Sequence, residues 1–127
     1  MKRLLISCLL IGIGGLAIAQ QAGFKRTLLQ TQDLSIPEKV VVQAVAEFEP
    51  GVAAGRHTHP GEEMGYVLEG QIEIKIDGQP PKMIQAGQTF FIPNGLVHDG
   101  VNASSGKLKV LATYVVEKGK PVATPVK

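Results

Sequence analysis

Short segments in which apolar and polar residues alternate, separated by closely spaced turn residues, place the strongest constraint on the fold of this chain. From residue 39 onward, turns that contain glycine or proline recur roughly every 7–12 residues, a spacing typical of antiparallel sandwiches and barrels. The clearest alternation lies in residues 72–77, where isoleucines and charged residues take turns. No segment after residue 19 shows the 3.6-residue period of an amphipathic helix. The sequence therefore predicts an all-β fold, an antiparallel sandwich or barrel.

The turn residues divide the chain into a series of predicted strands. They lie at residues 39–49, around His57 and His59, and at residues 63–68, 72–76, 83–84, 89–92, 97–102 and 108–116. Residues 39–117 thus form the predicted β-barrel domain. The polar residues 20–38 predict an N-terminal arm or edge segment with one short strand. Residues 118–127, which contain glycine and two prolines, predict an extended C-terminal tail.

The first 19 residues have the composition of a cleaved signal peptide. Lys2 and Arg3 precede an apolar run, and the small residues near its end suit a signal-peptidase site, with cleavage between Ala19 and Gln20. A retained membrane anchor is the alternative. The apolar run is about 16 residues long, shorter than the roughly 20 residues that a bilayer-spanning helix needs. We therefore expect an exported protein, periplasmic or secreted, without stable membrane association after cleavage.

Charge and cysteine content exclude several classes of function. The chain has 13 Lys and Arg residues against 11 Asp and Glu, and removal of Lys2 and Arg3 leaves 11 against 11. Because these charges are mixed along the chain, we expect no nucleic-acid binding through bulk electrostatics. Cys8 is the only cysteine and lies in the predicted signal peptide. The mature chain would therefore have neither a cysteine nucleophile nor a cysteine-rich zinc site.

A His-x-His motif places two of the three histidines, His57 and His59, two residues apart. Alternate residues of a strand face the same side, so both imidazoles can reach one ion. The turn at residues 60–61 brings Glu63 back towards the pair, and His98 begins a later strand. For the His-x-His motif alone, a solvated strand end is an equal alternative. A barrel that sets these strands side by side would bring together three imidazoles and one carboxylate.

Two longer motifs resemble the signature motifs of the cupin superfamily. The first motif reads Gly51, five residues, His57-x-His59, three residues, Glu63, six residues, Gly70. The second reads Gly87, five residues, Pro93-x-Gly95, two residues, His98, three residues, Asn102. The resemblance covers about residues 40–116, and the end of the chain is similar to small exported, quercetin-dioxygenase-like cupins. It implies a single-domain jelly roll, or double-stranded β-helix, with His57, His59, Glu63 and His98 as metal ligands.

The implied cofactor is one divalent transition-metal ion. This ligand set suits Cu, Zn, Mn, Fe or Ni, and it leaves the metal's identity open. Four protein ligands leave two positions free on an octahedral ion, where a substrate and O₂, or a bidentate oxyanion, can bind. On a tetrahedral zinc ion all four positions would be filled. Metal uptake outside the cell would favour copper and zinc.

Several functions agree with such a site. One hypothesis is a metal-dependent oxygenase that acts on a small oxygen-rich or phenolic molecule, with no catalytic acid or base identified. A second hypothesis is a non-catalytic module that binds a small molecule or the metal itself. A third is a structural protein that the bound metal makes rigid. A cupin fold can carry either activity or binding, so the fold does not decide between them.

Residues next to the motif have simpler interpretations. Glu62 alternates with Glu63, so we expect a solvated carboxylate there. Arg56 should face outward and pair with an acid at the rim. We expect core packing, rather than a substrate pocket, for Met64, Tyr66, Phe90 and Phe91.

Since single-domain cupins are commonly dimers, we also expect a homodimer that pairs through the N-terminal strands.

Overall fold

The computed structural model describes residues 21–127, which form ten β-strands. They are β1 (Phe24–Asp33), β2 (Lys39–Phe48), β3 (His57–Thr58), β4 (Gly61–Glu69), β5 (Gln71–Ile76), β6 (Lys82–Gln85), β7 (Thr89–Ile92), β8 (His98–Asn102), β9 (Leu108–Glu117) and β10 (Thr124–Pro125). This part of the chain contains no helix, which confirms the all-β prediction. The predicted signal peptide lies outside the described residues. Among residues 21–127 there is consequently no helix long and apolar enough to cross a membrane.

The strands form two five-stranded sheets, with the order β1-β2-β9-β4-β7 in the first sheet and β10-β3-β8-β5-β6 in the second. Every strand pair in the described part of the chain is antiparallel. Strands that follow one another in sequence often lie in different sheets, as β3 and β4 do. The predicted jelly-roll architecture is therefore confirmed, and a site between the two sheets receives residues from both.

Alternating side chains of the long strands build the core. Along β2 and β9, every second residue is buried and its neighbours are half-buried, as expected of strands with one face against the opposite sheet. The buried hydrophobic side chains larger than alanine are Val40, Val42, Phe48, Val67, Ile72, Ile74, Ile92, Leu108, Val110, Tyr114 and Val116. Burial of such a side chain contributes about 1.5–3 kcal/mol each, so this core stabilises the sandwich without any disulfide.

The N-terminal segment forms a longer strand than the predicted short one. Strand β1 has ten residues and pairs with β2 from Phe24 opposite Phe48 to Asp33 opposite Val40. It lies at the edge of its sheet, and most of its residues are exposed. An exposed edge strand needs no alternation of apolar and polar residues, so its sequence lacks the signal on which the prediction depended.

Gly61 belongs to a strand rather than to the predicted turn. It opens β4 and lies opposite Val116 of β9. A Cβ atom on Gly61 would lie 1.9 Å from the Val115 carbonyl oxygen. Glycine is therefore required at this position because the two strands approach too closely for a side chain.

The predicted core position is wrong for Met64, Tyr66 and Phe91. Their exposed fractions are 40, 44 and 54%, respectively. Buried Glu63 faces the interior, so the alternation of β4 turns Met64 and Tyr66 outward. Phe91 faces outward on β7 for the same reason, because its neighbour Ile92 is buried opposite Glu63. These three side chains form an apolar patch on the outer face of the first sheet.

Candidate metal centre

The four predicted ligands meet between the two sheets. His57 on β3 lies directly opposite His98 on β8 in the second sheet. Glu63 lies on β4 of the first sheet, where it pairs with Tyr114 and Ile92. His59 follows the end of β3, just before the chain crosses to β4. The crossover places the His-x-His motif and the glutamate in different sheets, facing each other.

All four side chains are buried and close together. One potential ligand atom from each lies within 4.8 Å of those from the other three. The centroids of the three imidazole rings are 4.3–4.9 Å apart. The Oε2 atom of Glu63 is 2.9 Å from His59 Nε2 and 3.3 Å from His98 Nε2. The cluster could therefore hold one metal ion.

Backbone carbonyl groups orient all three imidazoles. The Nδ1 atoms of His57, His59 and His98 lie 2.6, 2.5 and 2.9 Å from the carbonyl oxygens of Gly55, Val122 and Leu96, respectively. A carbonyl oxygen only accepts hydrogen bonds, so each Nδ1 must donate its hydrogen. In a neutral ring, Nε2 then keeps a free lone pair directed at the centre. Metal-binding histidines in proteins are held in this way.

The donor arrangement fits a cation at the centre. For Nε2 of His59 or His98 to donate to Glu63 while Nδ1 donates to a carbonyl, the ring must carry two hydrogens and a positive charge. The alternative is that all three rings are neutral. A positive ion at the centre would then bind the three Nε2 lone pairs and the Glu63 carboxylate together. The residues present therefore fit a divalent metal ion.

The pKa values of the cluster reflect burial and mutual contact. Burial lowers the pKa of His57 to about 4, so this imidazole is neutral at pH 7. Burial alone would raise the pKa of Glu63, but hydrogen bonds from His59 and His98 outweigh it and hold the pKa at about 2. Burial likewise opposes the charge on His98, yet its contact with Glu63 raises the His98 pKa above the usual value. The carboxylate is thus ionised across the physiological range.

Two residues at the centre, Arg26 and Tyr114, were missed from the sequence. Both line the interior cavity beside His57, Glu63 and His98. Burial raises the pKa of the Tyr114 hydroxyl and Glu63 adds to the effect, while Arg26 opposes it. The alternation of β9 could have indicated Tyr114, because this residue lies on the buried face of the strand. Arg26 gave no usable signal, because its segment was predicted as an arm.

The residues near the ligands mostly have structural contacts. Arg56 forms an exposed ion pair with Asp77, which confirms the predicted rim pair. Glu62 is half-buried and lies opposite Val115, on the outer face of the sheet. Asn102 is buried and donates to the carbonyls of Phe48 and Gly106, at 3.1 and 2.9 Å. Its role is therefore to hold a turn.

The fold and the buried cluster define a small jelly-roll protein with a candidate three-histidine, one-glutamate metal centre. Residues 44–114 match the Cupin domain family, Cupin_2. The chain belongs to the cupin superfamily.

The relatives of this chain include both a regulator and an oxidase. The HTH-type transcriptional regulator PuuR of Escherichia coli K12 is 34% identical over 79 residues, which cover 61% of this chain and 42% of the regulator. Oxalate oxidase 2 of Hordeum vulgare is 29% identical over 76 residues, 54% of this chain and 34% of the oxidase. The chain thus spans less than half of either relative.

A solved structure of an oxalate oxidase shows the same fold. The enzyme, in complex with the substrate analogue glycolate, has a TM-score of 0.66 and 24% sequence identity. The similarity covers 95% of this chain and 63% of the oxidase chain. This extent of overlap includes both sheets, so the jelly roll of the described residues is that of known cupins.

Proposed function

We propose that His57, His59, Glu63 and His98 bind one divalent transition-metal ion, and that the bound ion takes a small oxygen-rich molecule as its substrate. The observation that carries this proposal is the convergence of four buried ligand atoms within 4.8 Å of one another. The three carbonyl groups that fix the imidazole rings support it, because they direct every Nε2 lone pair to a common point.

The space around the centre suits a small substrate. The interior cavity has a volume of about 30 Å³, room for one or two water-sized groups. A wider outer pocket of about 470 Å³ shares Phe24, Arg26, Ala54 and His57 with that cavity. A ligand would therefore place a small polar head at the centre and leave any larger part in the outer pocket.

We further propose that the reaction is a metal-dependent oxidation or oxygenation. When bound, the ion would supply Lewis-acid or redox chemistry to the substrate head. The three backbone carbonyl groups would hold the imidazoles in orientation. Glu63 would stay ionised, and the apolar cavity wall would shield the centre. The relationship to an oxalate oxidase supports this reaction class, although the shared part is a third of that enzyme's length.

Metal binding is tested by replacing one carboxylate at a time. We expect one equivalent of metal in natively purified protein by elemental analysis, and a large loss of metal in Glu63→Gln. Glu62→Gln is the matched control, since the neighbouring carboxylate lies on the other face of β4. Equal metal content in the two variants would contradict the proposed centre.

Oxygen uptake tests the reaction. Protein of known metal content would be supplied with oxalate, flavonols and diketones, and we expect O₂ consumption with at least one of them. Glu63→Gln should abolish that consumption. No turnover with any open-shell metal would reject the oxygenase and favour the second candidate.

The second candidate is a non-catalytic module that binds a small molecule or the metal. Among the described residues that line the cavity, the titratable groups beyond the ligands are Arg26 and Tyr114. The pKa of Tyr114 is raised and arginine stays protonated, so neither is a ready general base at pH 7. The relationship to a transcriptional regulator also favours binding without turnover.

We propose export as the cellular context, supported by Lys2, Arg3, the apolar run and the small residues before Gln20. Metal selection after export would follow affinity and supply, which favours copper and zinc. Amino-terminal sequencing of protein from the native compartment should begin at Gln20. Finding only manganese or iron in that protein would reject the proposed selection.

We also propose a homodimer that forms through β1. This strand is a sheet edge with exposed Leu28 and Leu29, and exposed edge strands readily pair with another chain. Light scattering should give twice the chain mass. Replacement of Leu29 by lysine should shift the mass towards that of one chain, and a monomeric native protein would contradict the proposal.

A further inference from the structure

Arg26 is a half-buried cation that forms no ion pair within residues 21–127. It lies on β1 opposite Ala46, a residue that is buried between the sheets. Its Nε atom is buried and has no hydrogen-bond partner. No carboxylate within residues 21–127 lies at ion-pair distance from its guanidinium group. An unsatisfied buried donor costs about 1–3 kcal/mol, and more on a charged group, so such an arginine needs an explanation.

The surroundings of Arg26 hold the guanidinium in place without neutralising it. Its central carbon lies 5.5 Å from the ring centroid of Phe24 and 5.8 Å from that of Tyr114. Aromatic faces at these distances attract a cation, but they accept no conventional hydrogen bond from Nε. The nearby carboxylate of Glu63 contacts His59 and His98 instead.

Arg26 also lies where the interior cavity and the outer pocket adjoin. It lines both the interior cavity and the outer pocket, as His57 does. None of the described residues that line the outer pocket is acidic. The guanidinium group therefore lies beside the candidate metal centre, with no carboxylate partner within residues 21–127 and with its Nε donor unpaired.

From this geometry we infer that Arg26 binds a carboxylate group of the substrate, which is therefore a small organic dianion. The inference rests on the proposed metal centre. A divalent ion held by Glu63 and three neutral imidazoles would leave one net positive charge, and Arg26 adds a second. A dicarboxylate would satisfy both charges, with one carboxylate at the metal and the other paired with the planar guanidinium fork.

Binding of malonate and its neutral analogue malonamide to the nickel-loaded protein tests this inference by calorimetry. We expect the wild-type protein to prefer malonate, and Arg26→Gln to lose about tenfold or more of malonate affinity, as expected for a lost charge-assisted contact. Its malonamide affinity should change little. Lys25→Gln is the matched control, because it removes the same charge from the neighbouring, exposed position of β1. Malonate affinity should be unchanged in that variant.

The outcomes separate this inference from the proposed metal centre. Nickel affinity, measured first on each protein, should be equal in wild type, Arg26→Gln and Lys25→Gln. Failure of the wild type to bind nickel would reject the metal centre. Unchanged malonate affinity in nickel-loaded Arg26→Gln would overturn the role of Arg26 alone. If Arg26→Gln does not fold, Arg26→Lys replaces it: a several-fold loss supports the guanidinium contact, and wild-type affinity overturns it.

Discussion

At the residue scale, His57 is the candidate ligand whose charge state burial controls most clearly. Its pKa falls from 6.5 to about 4 on folding because the charged ring is desolvated. The unfolded chain therefore binds more protons than the folded chain between pH 6.5 and 4. His57 thus contributes stability above pH 6.5 that is lost as the pH falls towards 4.

Chelator-treated protein should accordingly become less stable on acidification. We expect the free energy of unfolding to fall by on the order of 3 kcal/mol between pH 6.5 and 4 from His57 alone. Urea titrations at several pH values measure the slope. His57→Asn should flatten it, since asparagine does not titrate there, and identical slopes in both proteins would contradict the assignment. His98 has the opposite effect on the free energy of unfolding. Because its pKa is raised on folding, the stability that protonated His98 contributes is lost as the pH rises above 6.5.

Gly61 makes a second residue-scale prediction. A methyl group there would meet the Val115 carbonyl oxygen at 1.9 Å, so β4 and β9 would have to separate. We expect Gly61→Ala to destabilise the protein by about 2–4 kcal/mol in thermal or urea unfolding. Gly106→Ala is the control, because nothing lies within 4 Å of its added Cβ. Equal unfolding midpoints for the two variants would contradict this prediction and show that β4 and β9 can separate at little cost in stability.

At the scale of elements, the C-terminal segment is part of the candidate metal centre. It was predicted only as an extended tail, yet β10 pairs with β3, the strand of His57. The Val122 carbonyl oxygen accepts the hydrogen bond that orients His59. The segment thus supports two of the four candidate ligands.

Two truncations test that support. A chain that ends after Lys120 loses the Val122 carbonyl, and we expect its metal affinity to fall about 10–100-fold, as is usual when the partner of a ligating histidine is removed. A chain that ends after Ala123 keeps the carbonyl but loses β10 and the contacts of residues 126–127 with Arg56, so its affinity should fall less. Metal titrations of both chains give the comparison. Equal losses would assign the effect to β10 rather than to Val122.

At the scale of the whole molecule, a bound metal would join the two sheets. His57 and His98 belong to one sheet and Glu63 belongs to the other. An ion that binds the folded chain alone stabilises it by about 2.7 kcal/mol at 100 times its dissociation constant. The melting temperature should therefore rise with metal concentration and fall with chelator.

Glu63→Gln provides the control for the predicted dependence of the melting temperature on metal. Its melting temperature should respond little to chelator, because the carboxylate of the opposite sheet has been lost. Glu62→Gln should respond as the wild type does. A chelator effect of the same size in Glu63→Gln would mean that the stabilising metal binds elsewhere.

The sequence by itself determined the fold class and which residues form the buried cluster. Alternation along β2, β5 and β9 records which side of each strand is buried, and glycine and proline mark where strands end. These are local signals, read from neighbours in the chain. The resemblance of the two spaced motifs to those of cupins indicated His57, His59, Glu63 and His98 together. The short turn at residues 60–61 accounts only for the proximity of Glu63 to the His-x-His pair.

Only the tertiary structure decided what surrounds those four residues. The Val122 carbonyl is 63 positions from His59 in the chain, and Arg26 reaches the centre from an edge strand without an apolar pattern. The outward position of Met64 and Tyr66, by contrast, could have been read from the sequence, because both share the parity of Glu62 rather than that of the expected ligand Glu63. Contacts between distant segments depend on which strands pair and where the chain crosses between sheets, and the alternation within one strand does not specify its partner strand.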